Sequence, residues 1–261
     1  MGSALCRLLA ESGHGVWGLD VKPGENTAWR AIQADITSAA SLEAALELVR
    51  AEAGRLDGIV HTAGVYDLNS LVEMPEDDFI RDFNVNLFGM FRVNRLFFPL
   101  LGPNSRIVVI SSELAPLDPL PFAGLYAVTK AAVEKYAASL RMEVQLLGHQ
   151  VIVVRPGAVK TPMLPASTER LARFCAQTRL YPANAARFRR VVDRVEARSV
   201  APERIAAAVA RALSAKRPRL VYSVNRNPGL LLMNALPDRL QGFIIRQLLR
   251  CNGQEVSHGR D

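Results

Sequence analysis

What the chain has little of narrows it first. Three cysteines, Cys6, Cys175 and Cys251, stand in 261 residues. They are odd in number, far apart and in no metal spacing. That excludes a disulfide-stapled scaffold and suits a reducing cytoplasm, the expected location. The four histidines, His14, His61, His149 and His258, are equally scattered, so no zinc site is expected. No apolar run approaches the length that spans a bilayer, and the best, Gly229 to Met233, is far too short. The start has no basic stretch leading into an apolar segment, so no signal peptide is expected. Nothing along the chain has the composition of a linker.

What remains is an ordinary globular composition, 49% hydrophobic and 22% charged, with ample material for one α/β domain over residues 1–261. The net charge of +7 is unevenly placed, since residues 169–219 hold thirteen Arg/Lys and four Asp/Glu. Such a stretch suits nucleic acid or an acidic surface. No aromatic stacking series or recognition motif accompanies it, so two solvated arginine-rich helices are preferred and no nucleic acid partner is expected.

Strand and helix signals alternate from end to end. Strands are expected at 15–20, 30–35, 57–61, 105–112, 150–155 and 218–224. Ser38 or Ser41 should cap a helix that ends at Gly54. A long helix should run from Pro75 to about Leu100, with Pro at its first turn and Phe79, Phe83, Leu87 and Phe91 recurring at four-residue spacing. Further helices are read over 125–147 and 202–215, with one or two in an insertion at about 162–200. An amphipathic tail covers about 227–250. This alternation implies βαβ units winding into a Rossmann-like, doubly wound parallel sheet, an αβα sandwich. Ligands in such sheets bind at the carboxyl ends of the strands, so the loops after Asp20, Asp35, His61, Ser112 and Arg155 should meet at one edge.

At that edge, Tyr126 and Lys130 lie four apart on one helix face. A nearby ammonium can lower a phenol's pKa toward the working range. Ser112 can donate a hydrogen bond to a carbonyl or developing alkoxide oxygen. Ser112 is preferred to Ser111 because it sits later in the strand and points to the opposite face. Together the three can move a proton as an alcohol and a ketone interconvert.

Five segments in series, HTAG at 61–64, NVNLFG at 84–89, IVVISS at 107–112, YAVTK at 126–130 and RPGAVKT at 155–161, resemble the short-chain dehydrogenase/reductase family across nearly the whole chain. The resemblance implies that Asn86 holds a water linking the lysine to a proton relay. It makes Ser112 the residue that polarises the substrate oxygen and Tyr126 the general acid/base. Lys130 would lower the tyrosine's pKa and bind the nicotinamide ribose. Ala63 and Gly64 match the turn beside the adenosine ribose, and Asp35 and Ile36 the pair that contacts adenine. Pro156, Gly157, Val159 and Thr161 match the segment cradling the nicotinamide carboxamide and the phosphates. Asp20, closing its strand, implies NAD in preference to NADP, because a carboxylate bonds the ribose hydroxyls and repels a 2′-phosphate.

The opening departs from the family pattern. Gly2 aligns with the last glycine of the phosphate-binding turn, and the first, central strand and two earlier glycines are absent. The expectation is that Met1 is an internal methionine, with roughly fifteen to twenty residues ahead of it in the working protein. The alternative is a catalytically impaired nucleotide-binding relative. The resemblance further implies a homodimer or homotetramer formed through the helices at 75–100 and 125–147. The chain's end is similar to that of hydroxysteroid and retinol dehydrogenase-like members, implying a lipophilic alcohol or ketone. Met163, Leu164, Leu171, Phe174, Leu180, Tyr181 and Phe188 give the insertion an apolar lining, either for the substrate or to pack the insertion onto the body. In the tail, Leu231, Leu232, Leu236, Leu240, Phe243, Ile244 and Leu248 make a stripe with Arg239, Arg246 and Arg250 outside it. Packing against the protein or a second subunit is preferred there over attachment to a membrane surface.

Overall fold

The computed structural model describes residues 1–24, 28–161 and 163–250. Helix α1 (Gly2–Glu11) opens the chain and leads through a turn at Gly13 into β1 (Trp17–Asp20), which pairs in parallel with β2 (Arg30–Gln33). Ser38 caps α2 (Ala39–Ala53), its hydroxyl accepting the Ser41 N–H at 3.3 Å. Ser41 instead turns its own hydroxyl to the Asp35 N–H at 2.9 Å, so both candidate serines are used. Gly54, at φ +67°, ends the helix in a conformation that other residues rarely adopt.

The larger ladder is wholly parallel. It runs in the order β3 (Leu56–His61), β4 (Leu101–Ile110), β5 (Gln150–Pro156) and β6 (Val221–Val224). Its central strands are β-branched on both faces because both faces are covered. Val108, Ile110, Ile152 and Val154 meet Leu5 of α1 and Ile205 and Val209 of α8 (Pro202–Ser214). Ile107, Val109, Val151 and Val153 point the other way, onto Val133, Ala137 and Val144 of α5 (Gly124–Val144). The predicted three layers are therefore present, and alternate residues of one strand serve opposite cores.

The sheet comes in two pieces. Among the described residues no strand pairing joins β1 to β3. A cavity of about 790 Å³ runs along their facing edges, bounded there by Gly18, Leu19, Gly58 and Val60.

The helix expected from Pro75 to Leu100 is interrupted. It consists of α3 (Glu76–Phe83), a π turn (Asn84–Gly89), α4 (Met90–Phe97) and a short 3₁₀ turn. Only part of the stripe faces the core: Leu87 packs on it, while Phe79 and Phe91 are exposed, and the buried residues are Asp82, Asn86, Gly89, Met90, Asn94, Phe97 and Leu100. Hydrogen bonding fixes that inner face. Asn86 and Asn94 reach partners on other elements, and Asp82 is paired with Arg81 at 2.9 Å.

The insertion forms α6 (Met163–Gln177) and α7 (Pro182–Glu196), and the tail is two helices, α9 (Pro228–Asn234) and α10 (Asp238–Leu249), broken at Pro237. Leu171, Phe174 and Phe188 are not pocket lining. They are buried with Leu68, Ala123 and Leu249 and pack the insertion onto the body, while Leu180 faces solvent. No helix among the described residues is long and apolar enough to cross a membrane, and no cluster of metal ligands occurs among them.

At the end of β3, the half-buried His61 places Nε2 2.7 Å from Asn94 Oδ1, and the Asn94 amide donates to the Tyr136 phenol at 3.1 Å. Burial pulls the imidazole down from 6.5 to about 4. Between those values the unfolded chain takes up a proton that the folded one refuses, so this contribution weakens stability as pH falls from 6.5 to 4. The stability difference between the native chain and His61→Gln, measured by urea unfolding, should shift against the native chain by about 2 kcal/mol on going from pH 7 to pH 4. That is less than the full shift implies, because the ring is only half-buried. A difference independent of pH would show that the ring is not held neutral.

Candidate active site

The carboxyl end of β4 sets the first group. Its ladder ends at Ile110, earlier than the predicted Ser112, but alternate bonds continue. The Ser111 N–H donates to Val154 O at 2.8 Å and the Glu113 N–H to Pro156 O at 2.9 Å. The two serines diverge as strand alternation requires. The Ser111 hydroxyl is buried and has no hydrogen-bond partner among the described residues. The Ser112 hydroxyl accepts the Leu114 N–H at 3.2 Å and acts on the Tyr126 phenol to lower its pKa.

Tyr126 and Lys130 occupy successive turns of α5, with the amine 5.8 Å from the centre of the phenol ring. Lys130 is 6% exposed, and its Nζ donates to the Ile110 carbonyl at 3.1 Å. Burial is the largest influence on the phenol and pushes Tyr126 up to about 12, with the Ser112 hydroxyl acting against it and the Glu113 carboxylate adding to it. Burial also draws Lys130 down to about 8. The amine is bonded to a backbone carbonyl rather than to the phenol oxygen.

Asn86 lies in the π turn, a distortion that re-aims a side chain within a helix. Its Oδ1 accepts the Val65 N–H at 2.8 Å, and its amide donates to Val65 O and Thr129 Oγ1, both at 3.0 Å. Asn86 therefore ties the turn after β3 to α5. Gly64 lies inside this knot, where a Cβ would stand 3.1 Å from Asn86 Oδ1 and 3.5 Å from Lys130 Nζ.

Gly2, Asp20, Ile36, Ala63, Asn86 and Lys130 all line the one cavity of about 790 Å³. Gly2 begins α1 close to Thr62, where a Cβ would be 2.8 Å from its hydroxyl. Asp20 is exposed at the end of β1, its carboxylate accepting the Lys22 N–H at 2.9 Å. Asp35 does not line that cavity. Its Oδ1 accepts the Thr37 N–H at 2.8 Å and the Thr37 hydroxyl at 2.7 Å, bonds that hold the carboxyl below its ordinary value. Ile36 packs on Gly89, where a side chain would collide with it.

The segment after β5 lies outside the cavity lining. Pro156 is the strand's last residue. The Gly157 N–H donates to Val224 O at 2.9 Å, Val159 bridges to Val200, and the Thr161 carbonyl caps Leu164 at 3.0 Å. At Gly157 a Cβ would fall on the Asn225 carbonyl oxygen, so close approach of β6 requires glycine there.

Three residues at the site carry no signal in the sequence reading. Tyr66 sets its ring edge-on to Tyr126, centroids 4.6 Å apart. Thr129, inside the YAVTK segment, is wholly buried and accepts from Asn86. Glu113, directly after Ser112, is buried and accepts the Asn227 N–H at 2.6 Å. Only their adjacency to the motifs could have pointed to them.

Comparison with known proteins agrees with this geometry. The short chain dehydrogenase family model matches residues 1–172. A 3-ketodihydrosphingosine reductase of Bacteroides thetaiotaomicron is 26% identical over 250 residues, covering 94% of this chain and 92% of its own length. The oxidoreductase UcpA of Escherichia coli is 32% identical over 177 residues, 62% of this chain and 66% of that protein. Among solved structures, an aldohexose dehydrogenase of Thermoplasma acidophilum has a TM-score of 0.71 at 20% identity, covering 87% of this chain and 91% of that one. A 3-ketoacyl-(acyl-carrier-protein) reductase of Brucella melitensis complexed with NADH has a TM-score of 0.68 at 21% identity, covering 85% and 91%. The chain belongs to the short-chain dehydrogenase family, oxidoreductases of Rossmann-like fold that use nicotinamide cofactors.

Proposed function

We propose that the protein interconverts a secondary alcohol and a ketone on a lipophilic substrate, with NAD preferred over NADP. The observation that carries this reading is the convergence of the Ser112 hydroxyl, the Tyr126 phenol and the buried Lys130 amine at the end of β4. The residues present suit a dinucleotide. One cavity joins the N-terminus of α1, a carboxylate at the end of β1 and the buried lysine. The first N–H groups of α1 point from a terminus with no side-chain cap, a suitable neighbour for a pyrophosphate.

A bound nicotinamide would supply or accept the hydride. Ser112 would donate a hydrogen bond to the substrate oxygen and hold it against the phenol. Tyr126, protonated at neutral pH in this setting, is ready to give a proton to a reduced carbonyl oxygen. The reverse direction needs the phenol to lose that proton, and movement of the Lys130 amine from the Ile110 carbonyl toward the phenol oxygen would assist it. Asn86, bonded on three sides, fixes the wall behind Lys130. Asp35, Pro156, Gly157, Val159 and Thr161 keep their implied cofactor contacts as part of this proposal.

Support for a lipophilic substrate comes from the Bacteroides relative, a reductase of a 3-keto sphingoid compound by its name, and from a 3β-hydroxysteroid dehydrogenase of Caenorhabditis elegans that is 30% identical over 164 residues. The aromatic edge of Tyr66 against Tyr126 adds an apolar wall. Assembly as a dimer or tetramer follows the family habit, and the exposed Phe79, Phe88 and Phe91 suit it.

In protein expressed from its whole reading frame, Tyr126→Phe should lower kcat for ketone reduction at least a hundredfold, the usual loss on removing a general acid, with NADH binding retained. Turnover equal to the native protein would overturn the chemistry. Asp20→Ala should raise kcat/KM with NADPH relative to NADH by tenfold or more. An unchanged ratio would remove Asp20 as the determinant. The second reading, a nucleotide-binding relative without turnover, draws on the open edges of β1 and β3. Tight NADH binding without reduction of any keto lipid, steroid or retinoid would favour it.

A further inference from the structure

The tail helix α10 has two apolar faces, and the fold uses only one. Gln241, Ile245 and Leu249 turn inward, with Ile245 and Leu249 joining the core beneath the insertion. The inward face is fastened by polar bonds. The Gln241 amide donates to Leu236 O at 2.9 Å, and Asn184 of α7 donates to Leu249 O at 2.7 Å. This is not the face that the sequence stripe marked out for packing. Of that stripe, Leu240 is 43% exposed, Phe243 55% and Leu248 58%, and Leu232 on the neighbouring α9 is 69% exposed.

At about 100° per residue, Phe243, Leu240, Ile244 and Leu248 sweep roughly 140° of the helix surface. Arg246, Arg239 and Arg250, all exposed, fall together on the flank beside Phe243. The helix's single acid, Asp238, stands on the opposite side of that apolar arc from its centre. An outward apolar arc bordered by cations is the pattern of a helix lying in the interface of a membrane, its rings among acyl chains and its guanidinium groups at headgroup phosphates.

We propose that α10, with Leu232 of α9 beside it, docks the protein on the surface of a bilayer containing anionic lipid. Charge argues for this occupant over a second copy. A two-fold contact made by the same face on both subunits would bring the arginine flanks into one interface with no acid of α10 among them. Phosphates complement all three guanidinium groups at once. The contact is peripheral, made by a single helical face without a membrane-crossing helix among the described residues. The docked helix is also bonded to the rim of the site. Asn234 Oδ1 accepts the Asp118 N–H at 2.6 Å, and the Gln241 amide reaches Asp118 Oδ2 at 3.4 Å. Asp118 belongs to the proline-rich loop between Ser112 and Tyr126, so the surface would set that loop close to the lipid phase.

Flotation with vesicles tests this independently of any turnover. The full chain should float with mixed phosphatidylcholine and phosphatidylglycerol vesicles and remain behind with pure phosphatidylcholine at the same lipid concentration. The double substitution Leu240→Ser, Phe243→Ser should abolish flotation while thermal unfolding stays unchanged, since both side chains face outward. Arg239→Gln and Arg246→Gln should each weaken partitioning roughly fivefold, and added salt should do the same. Failure of the native chain to float, or equal flotation of the double variant, overturns the proposal. So does a dimer in sedimentation that the double variant breaks, which would assign the face to a second copy.

Discussion

An amine placed almost wholly out of water is the constraint around which this site is organised. Removing an ammonium from solvent costs several kcal/mol unless its hydrogen bonds are made good. Lys130 meets that cost with the Ile110 carbonyl at the end of β4, and the carboxylate of Glu134 one turn further along α5 adds a favourable charge. Glu134 is not free to move toward it. Its two oxygens are held by Arg155 on β5, with Nε at 2.7 Å and the second nitrogen on the other oxygen. The lysine is thus framed by a strand end, a helix and an ion pair that joins that helix to the next strand. Gly64 completes the frame by leaving no side chain between Asn86 and the amine.

The parallel register delivers these parts to one place. β4 and β5 run side by side from Arg106 beside Gln150 to Ile110 beside Val154, so the chain leaves both strands at the same edge. Ser112, Glu113 and Pro156 follow directly. Alternation then sorts them by face, which is why adjacent serines differ, one buried without a partner and the other at the phenol. The same logic exposes the weak point of the sheet. A strand buried on two faces needs neighbours on both edges for its N–H and C=O groups. Among the described residues β1 and β3 each have a strand neighbour on one edge only, with the cavity along the other.

Most of this layout was legible because it follows from periodicity and from motifs whose spacing is fixed by geometry. Strand positions, the cap at Ser38, the stop at Gly54 and the pairing of Tyr126 with Lys130 all depend on local pattern. What failed was whatever a tertiary partner decides. The Phe79, Phe83, Leu87, Phe91 stripe has faultless helical spacing, yet Phe79 and Phe91 are exposed, and the inner face holds Asp82, bonded to its neighbour Arg81, with Asn86 and Asn94, whose partners lie on other elements. For Leu171, Phe174 and Phe188 the sequence left substrate lining and packing both open, and the structure buries them in packing, a distinction that composition cannot make.

Glu113 shows how closely the tail is bound to the chemistry. The Asn227 N–H that it receives belongs to the residue capping α9, whose own side chain accepts the Gly229 N–H at 2.9 Å. One carboxylate therefore fixes where the tail begins while its backbone N–H bonds Pro156, and the preceding residue is Ser112. Burial raises this carboxyl, and its charge in turn raises Tyr126. A neutral side chain of the same shape would keep the bond from Asn227 and relieve the phenol. A smaller one would release α9 as well. The residue next to Ser112 thus joins two duties that a local motif reads as one neutral position, tuning the phenol and seating the tail.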